Sequence, residues 1–429
     1  MNILSENRFM KYGNTMQAFI WNMGGTCFLY LCRWLVTIAV VRMSNDFNSA
    51  GMLILAISIT NIWNVVAVFA GRNIQVSDIK NEYADKEYIS IRVLTILLAL
   101  VLCAVHVLIL SNEIYQSFVI VIYMFVILGI AYSDVLHGIL QKQWRMDLIG
   151  ISCVVRGVLF LGSFIVFFHF FNLLVAVIAM AFISLAIVFL LDMPLARMYA
   201  DITLSFDLKR LIRLAKVCFP LVIVAFLFNL IPSFTRIMLA RQTDIEMLGI
   251  YGSVTLPAAM AQTIAISAFA PIINMMTKSY QEKKYKSYLR IFWMGIIGIS
   301  AVFLSFYALS LPFGGWFLRL LFDAEVAQYA QLFSEAIFFS MFMSLGWFIM
   351  IPLTVFRKTV VQATIYAGGA IICLSLASFM IRLFGASGAN YIQIISNATI
   401  FILLLVVTIV ISKKQFADLK KNNPIDEEV

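Results

Sequence analysis

Charge is what this sequence has least of. Only 12% of its 429 residues are Asp, Glu, Lys or Arg, against roughly 25% in soluble domains. Histidine (3) and proline (8) are also scarce. This poverty of charge excludes a soluble enzyme and a disordered adaptor. Cys27, Cys32, Cys103, Cys153, Cys218 and Cys373 all lie in apolar runs and form no C-x-x-C pair. That excludes a zinc ribbon and a disulfide-stapled secreted module. The sequence has no G-x-x-x-x-G-K-[ST] loop, which excludes ATP hydrolysis by this chain. It has no G-x-S-x-G elbow or D-x-D pair either, and no His, Cys, Asp and Glu cluster with metal-ligand spacing. No cofactor and no metal are expected.

Apolar residues fill the space that charge leaves. They make up 62% of the chain, and the mean hydropathy is +0.96. Twelve segments reach the roughly 20 apolar residues a membrane crossing needs. They lie near 16–43, 50–70, 89–110, 115–138, 149–169, 172–194, 214–238, 248–273, 288–311, 332–355, 359–381 and 389–412. Helices are required, because lipid satisfies no exposed backbone group and no alternating strand pattern occurs. The first apolar run is too long for a cleaved signal, and no small-residue cleavage site follows it.

Segments five and six are separated only by His169-Phe170-Phe171-Asn172, and charge resolves the ambiguity. With twelve spans and both termini cytoplasmic, 24 of the 31 Lys and Arg lie inside. Outside lie Arg42, Arg241, Arg319 and Arg382, and within spans Arg33, Arg156 and Arg236. Fusing the two segments would put the basic stretches Lys209–Lys216 and Lys278–Arg290 outside, against the positive-inside rule. The net charge of +9 therefore serves a membrane surface, and no nucleic acid is expected.

The longest central polar stretch, residues 196–213, holds Arg197, Asp201, Asp207, Lys209, Arg210 and Arg213. It reads as a cytoplasmic linker between two six-helix lobes, 1–195 and 214–412, with 413–429 a charged cytoplasmic tail. Six plus six is the pattern of a transporter built from two repeats. A faint repeat agrees: Arg42 leads through an acidic-polar turn to Gly51, and Arg241 through another to Gly249.

Polar residues inside the spans carry the chemistry. Asn22, Thr26, Arg33 and Thr37 form one stripe along the first helix, and an intramembrane arginine is costly. The stripe faces a cavity or a polar partner. The competing reading is a structural arginine bonded to carbonyls or a carboxylate. Asn229, Ser233 and Arg236 share a face of span seven, which Pro220 and Pro232 interrupt. Arg236, near the outer end, is either a second cavity cation or a snorkelling residue. Span eight adds Tyr251, Thr255 and Gln262, and span two adds Thr60, Asn61 and Asn64. The polar content of spans one, two, seven and eight points to a central cavity lined by them. Arg156 reads as a snorkelling residue, while Asp134, Asp192, Glu335, His106, His137 and His169 read as helix-end residues. Guanidinium binds phosphate through a planar fork and stays charged when desolvated. Buried cations with amides and hydroxyls suit an anionic phosphate-sugar substrate; a cationic drug would want buried carboxylates.

Residues 46–71 (DFNSAGMLILAISITNIWNVVAVFAG) and 247–280 (MLGIYGSVTLPAAMAQTIAISAFAPIINMMTKSY) carry a family resemblance. With the two-lobed layout over the whole chain, they resemble the polysaccharide transporters of the multidrug/oligosaccharidyl-lipid/polysaccharide (MOP) superfamily, the Wzx-type O-antigen and capsule flippases. The resemblance implies an all-α polytopic protein of the bacterial inner membrane that is not an enzyme. It implies translocation of an undecaprenyl-pyrophosphate-linked oligosaccharide by alternating access, driven by H+ or Na+, with membrane lipids and a polysaccharide polymerase as further partners. Arg33, and more loosely Arg236, match the cavity arginines that hold the anionic head group. Asn22, Thr26, Asn61, Asn64, Asn229, Tyr251 and Gln262 are the accompanying cavity-lining candidates. Lipid II flippases carry two extra helices that this chain lacks. The competing classes are a multidrug exporter with the same layout, which the lack of mid-span carboxylates disfavours, and a membrane polysaccharide polymerase. The polymerase would want a large external loop with catalytic groups, and none is present.

Overall fold

Apolar runs this long, with their backbone groups bonded internally, fold as helices, and every long element is one. The computed structural model describes residues 15–44, 46–78, 80–110, 113–205, 207–267, 269–282, 284–356 and 358–421. Among the described residues, eleven helices are long and apolar enough to cross a membrane. The chain is a multi-pass membrane protein. The expected eighth segment falls on helices Ile245–Ser267 and Phe269–Gln281, with residue 268 outside the described residues. The chain divides into two compact units, Met1–Asn229 and Leu230–Val429.

Unit 1 contains α1 (Thr15–Met43), α2 (Asn48–Val68), the short α3 (Gly71–Ser77), α4 (Asp85–Leu110), α5 (Ile114–Lys142), α6 (Met146–Phe170) and α7 (Leu173–Ile187). A π-helical turn, Val188–Asp192, leads into α8 (Met193–Arg197), and α9 (Leu208–Gln242) begins in this unit. Helix α5 is the most buried of the unit, packed against α2, α4 and α7. Helix α1 lies along α6 in the unit's most extensive helix pairing. Gly25 and Gly150 permit this: a Cβ on Gly25 would overlap the Gly150 carbonyl oxygen, and one on Gly150 would overlap that of Trp21. Small residues let membrane helices approach to backbone contact.

Two interruptions have local causes. After α2, Phe69 and Ala70 both take left-handed backbone conformations (φ 49° and 52°), which non-glycine residues adopt at a cost. The break frees the Ala67 carbonyl, which accepts from Arg92 Nη1 (3.2 Å) and Thr95 Oγ1 (2.9 Å). Between α6 and α7, Asn172 caps the second helix by accepting from the Val175 amide at 3.0 Å. Segments five and six are therefore two helices.

Unit 2 contains α10 (Ile245–Ser267), α11 (Phe269–Gln281), α12 (Tyr285–Leu321), the one-turn α13 (Ala324–Ala327), α14 (Ala330–Val355), α15 (Thr359–Phe384) and α16 (Ala386–Lys421). Helix α14 is the buried one, packed on α10, α12 and α16. Gly385, at φ +58°, turns the chain from α15 into α16 in a single residue.

Candidate functional site

In unit 1 the polar side chains of α5, α6 and the π turn converge on one carboxylate. Asp192 is fully buried. Ser152 donates to its Oδ1 and Ser133 to its Oδ2, each at 2.5 Å, and Arg156 Nη2 donates to Oδ2 at 2.9 Å. His137 Nε2 lies 3.4 Å from Oδ1, and Arg156 also donates to Ser133. The spacing explains the convergence: Ser133 and His137 are four apart on α5, Ser152 and Arg156 four apart on α6, so each pair shares a face. A π turn widens the helix locally and is often found where a side chain is positioned for a role. Here it carries Asp192.

This corrects the reading of Arg156 as a snorkelling residue and of Asp192 and His137 as helix-end residues. Arg156 is 2% exposed and Asp192 0%; taking a charge so far from water demands a paired partner. The sequence signal was the four-residue spacing, but nothing in it said that these faces meet.

A second cluster lies near the α2–α3 break. Asp134 accepts from Arg72 Nη1 at 3.3 Å and from Arg92 Nη2 at 3.0 Å. Arg72 reaches Gln141 Oε1 as well, at 2.8 Å. Two guanidiniums thus share one carboxylate.

Arg33 is half-buried on α1. It hydrogen-bonds with Tyr123 of α5 and lies near Tyr30, and it is within electrostatic reach of Arg156. No carboxylate pairs with it among the described residues. Thr26 of the same stripe meets the Cys153 thiol of α6, and Thr37 is buried. Asn22 is half-buried where α1 meets Gly150. The stripe therefore faces α5 and α6. On α2, Asn61 and Asn64 are half-buried, and the buried Asn64 Oδ1 has no hydrogen-bond partner among the described residues. Asn229 donates to the Ala225 carbonyl of its own helix at 2.9 Å.

In unit 2, Arg236 lies near the fully buried Tyr251, and its buried Nε has no hydrogen-bond partner among the described residues. Tyr251 donates to Asn390 Oδ1 at 2.8 Å and accepts from Gln393 Nε2 at 3.0 Å. Asn390 continues to Glu335 Oε2 at 2.9 Å. Asn390 and Gln393 were missed in the sequence, although with Asn397 they form a polar face at i, i+3 and i+7 on α16. Gln262 is half-buried on α10.

Among these side chains of unit 1, Arg72 and Arg92 share Asp134 and Arg156 pairs with Asp192, which leaves Arg33 without a carboxylate. The polar interior of this unit is cationic. Among the described residues no three His, Cys, Asp or Glu side chains gather as a metal site.

The sequence matches no protein-family model and no curated protein. Its fold matches solved membrane transporters over nearly the whole chain. An inward-facing multidrug resistance MATE family transporter of the MOP superfamily superposes with a TM-score of 0.62 at 14% identity, covering 94% of this chain and 99% of that one. The MATE multidrug transporter DinF-BH gives 0.65 at 15% identity over 92% and 95%. A MOP superfamily transporter from Pyrococcus furiosus, described by the reverse polarity of its binding pocket, gives 0.57 at 16% identity over 95% and 96%. The fold is that of MATE-type transporters of the MOP superfamily.

Proposed function

We propose that this membrane transporter translocates an undecaprenyl-pyrophosphate-linked oligosaccharide from the inner to the outer leaflet of a bacterial cytoplasmic membrane. In this reading the chain has twelve spans with both termini in the cytoplasm, as the Lys and Arg distribution favours. It supplies surface polysaccharide synthesis by alternating access coupled to H+ or Na+. One observation carries the reading: Arg33 sits in a membrane helix with no carboxylate partner among the described residues, inside a unit whose membrane-embedded carboxylates are already neutralised by arginine. A guanidinium so placed selects an anion, and its planar fork fits the oxygens of a phosphate. Arg236, whose buried Nε has no hydrogen-bond partner among the described residues, offers a further cation in unit 2. In unit 1 the amides of Asn22, Asn61, Asn64 and Asn229, with the Thr26 hydroxyl, are the sugar contacts.

The second reading, a multidrug exporter, is favoured by the MATE multidrug transporters among the fold's neighbours. The Pyrococcus furiosus transporter, whose pocket polarity is reversed and taken to imply a different function, supports judging function in this fold by pocket charge.

The test is glycan display in a deletion strain without a redundant flippase, with the lipid-linked intermediate quantified in the cytoplasmic leaflet. Lost display with accumulated intermediate, rescued by the wild type but not by Arg33→Ala, is the expected result. Unchanged display together with lost efflux of cationic dyes would establish the exporter instead.

A further inference from the structure

Unit 2 contains a cavity of about 850 Å³ between α10, α11, α12 and α14. Ligand pockets typically enclose ~300–1,000 Å³ and carry a few placed polar groups. Among the described residues it is lined by apolar side chains and glycines, with Ser310 the one hydroxyl, and Ser310 already donates to Ser334 at 2.8 Å. Among the described residues nothing in the lining recognises a sugar or a phosphate. Such a lining suits a hydrocarbon.

The shape narrows the choice. The lining on α12 runs from Met294 to Phe317, about 35 Å at ~1.5 Å per residue, which matches the ~30 Å hydrocarbon core. The acyl chains of a phospholipid reach across one leaflet, half of that depth. A single long prenyl chain reaches across all of it.

The charge at one end agrees. Lys286 and Arg290 are exposed on α12, and Arg290 stands one turn before Met294, the first lining residue. In the proposed topology this end is cytoplasmic, the leaflet from which a lipid-linked substrate is loaded. The two cations complement an anionic phosphate at the head of the chain.

We infer that this groove holds the polyprenyl tail of the lipid-linked substrate while its phosphate-sugar head is handled elsewhere. The inference rests on the flippase reading and adds a tail site in unit 2. Gly298 gives direct access to it: a Cβ there would meet nothing within 4 Å, so a large side chain fits without disturbing the helix and fills the groove.

The experiment uses the full chain in phosphatidylcholine–phosphatidylglycerol nanodiscs, with undecaprenyl phosphate bearing a diazirine in its tail as the probe. Photolabelling should concentrate on α12 between Met294 and Phe317. It should fall about tenfold in Gly298→Trp and severalfold in Lys286→Gln/Arg290→Gln. The control Gly162→Trp, at an exposed glycine of α6 whose Cβ would also meet nothing within 4 Å, should leave it unchanged. Unlabelled undecaprenyl phosphate should compete, and dioleoyl phosphatidylglycerol should not. Equal competition by phosphatidylglycerol, or labelling unchanged in Gly298→Trp, overturns the tail site. Translocation of lipid-linked glycan in vesicles is scored separately. Flipping by a chain whose groove is not labelled rejects the groove and spares the flippase. A labelled groove without flipping rejects the groove as a substrate site together with the flippase reading.

Discussion

Arg156 donates to Asp192 across 2.9 Å, joining two side chains 36 residues apart in sequence, both almost wholly removed from solvent and lipid. The pair ties α6 to the π turn that ends the sixth apolar segment. Ser133 and Ser152 satisfy the carboxylate further, so this is a closed polar lock inside an apolar unit.

Breaking one side of that lock leaves an unpaired buried charge, which typically costs about 3–5 kcal/mol. Asp192→Ala and Arg156→Ala are each expected to lower the thermal unfolding midpoint of the detergent-solubilised protein. The double variant Arg156→Met/Asp192→Leu is expected to recover much of that loss, because no lone charge is left. Additive losses in the double variant would show that the two residues are not coupled.

Gly150 is where α1 and α6 touch backbone to backbone. Gly150→Leu places a side chain where the Trp21 carbonyl already lies, so the helices must separate, and overpacking of this kind costs about 1–3 kcal/mol or more. Reduced folded yield in membranes is expected, with Gly162→Leu, which meets open space, at the wild-type level. Equal yields from the two variants would contradict the close approach.

Arg33 separates charge from geometry. Arg33→Ala is expected to lower glycan export about tenfold or more, and Arg33→Lys to retain an intermediate rate, because the charge survives but the planar fork does not. The two variants are compared by export rate at matched membrane protein level. A lysine variant as inactive as alanine would mean that the bidentate geometry is indispensable, and an unimpaired alanine variant would remove Arg33 from the site.

Asp78, in the loop before α4, gives a pH-dependent term. Burial pushes its carboxyl up, but the amides of Tyr83 and Glu82 and the Tyr88 hydroxyl together hold it below the usual carboxylate range. A lowered folded-state pKa stabilises above the ordinary value, about 3.9, and the contribution is lost as pH falls through the lowered folded value. Asp78→Asn is therefore expected to destabilise at pH 7 by about 1 kcal/mol and by less at an acid pH below the lowered folded value, where the wild-type carboxyl is protonated. A constant difference in unfolding midpoint at both pH values would show that ionisation of Asp78 is not the cause.

Much of the architecture was written in composition and period. Long apolar runs leave helices as the only structure that satisfies a backbone in lipid, so the membrane class and most of the helices were legible before any coordinates; their limits were not, since α12 runs on to Leu321 and residues 248–273 fall on two helices. Even the narrow break before Asn172 was legible, from charge, and its physical cause is the amide cap that Asn172 supplies. The polar stripe through Asn22, Thr26, Arg33 and Thr37 was legible too, because helical period places side chains on faces. Period assigns faces but not the faces they meet. That Arg156 turns inward to Asp192, that Arg72 and Arg92 share Asp134, and that α12 opposes α10, α11 and α14 across a groove were decided by packing alone. These contacts join residues tens of positions apart, and one helix's sequence carries no record of its neighbour's.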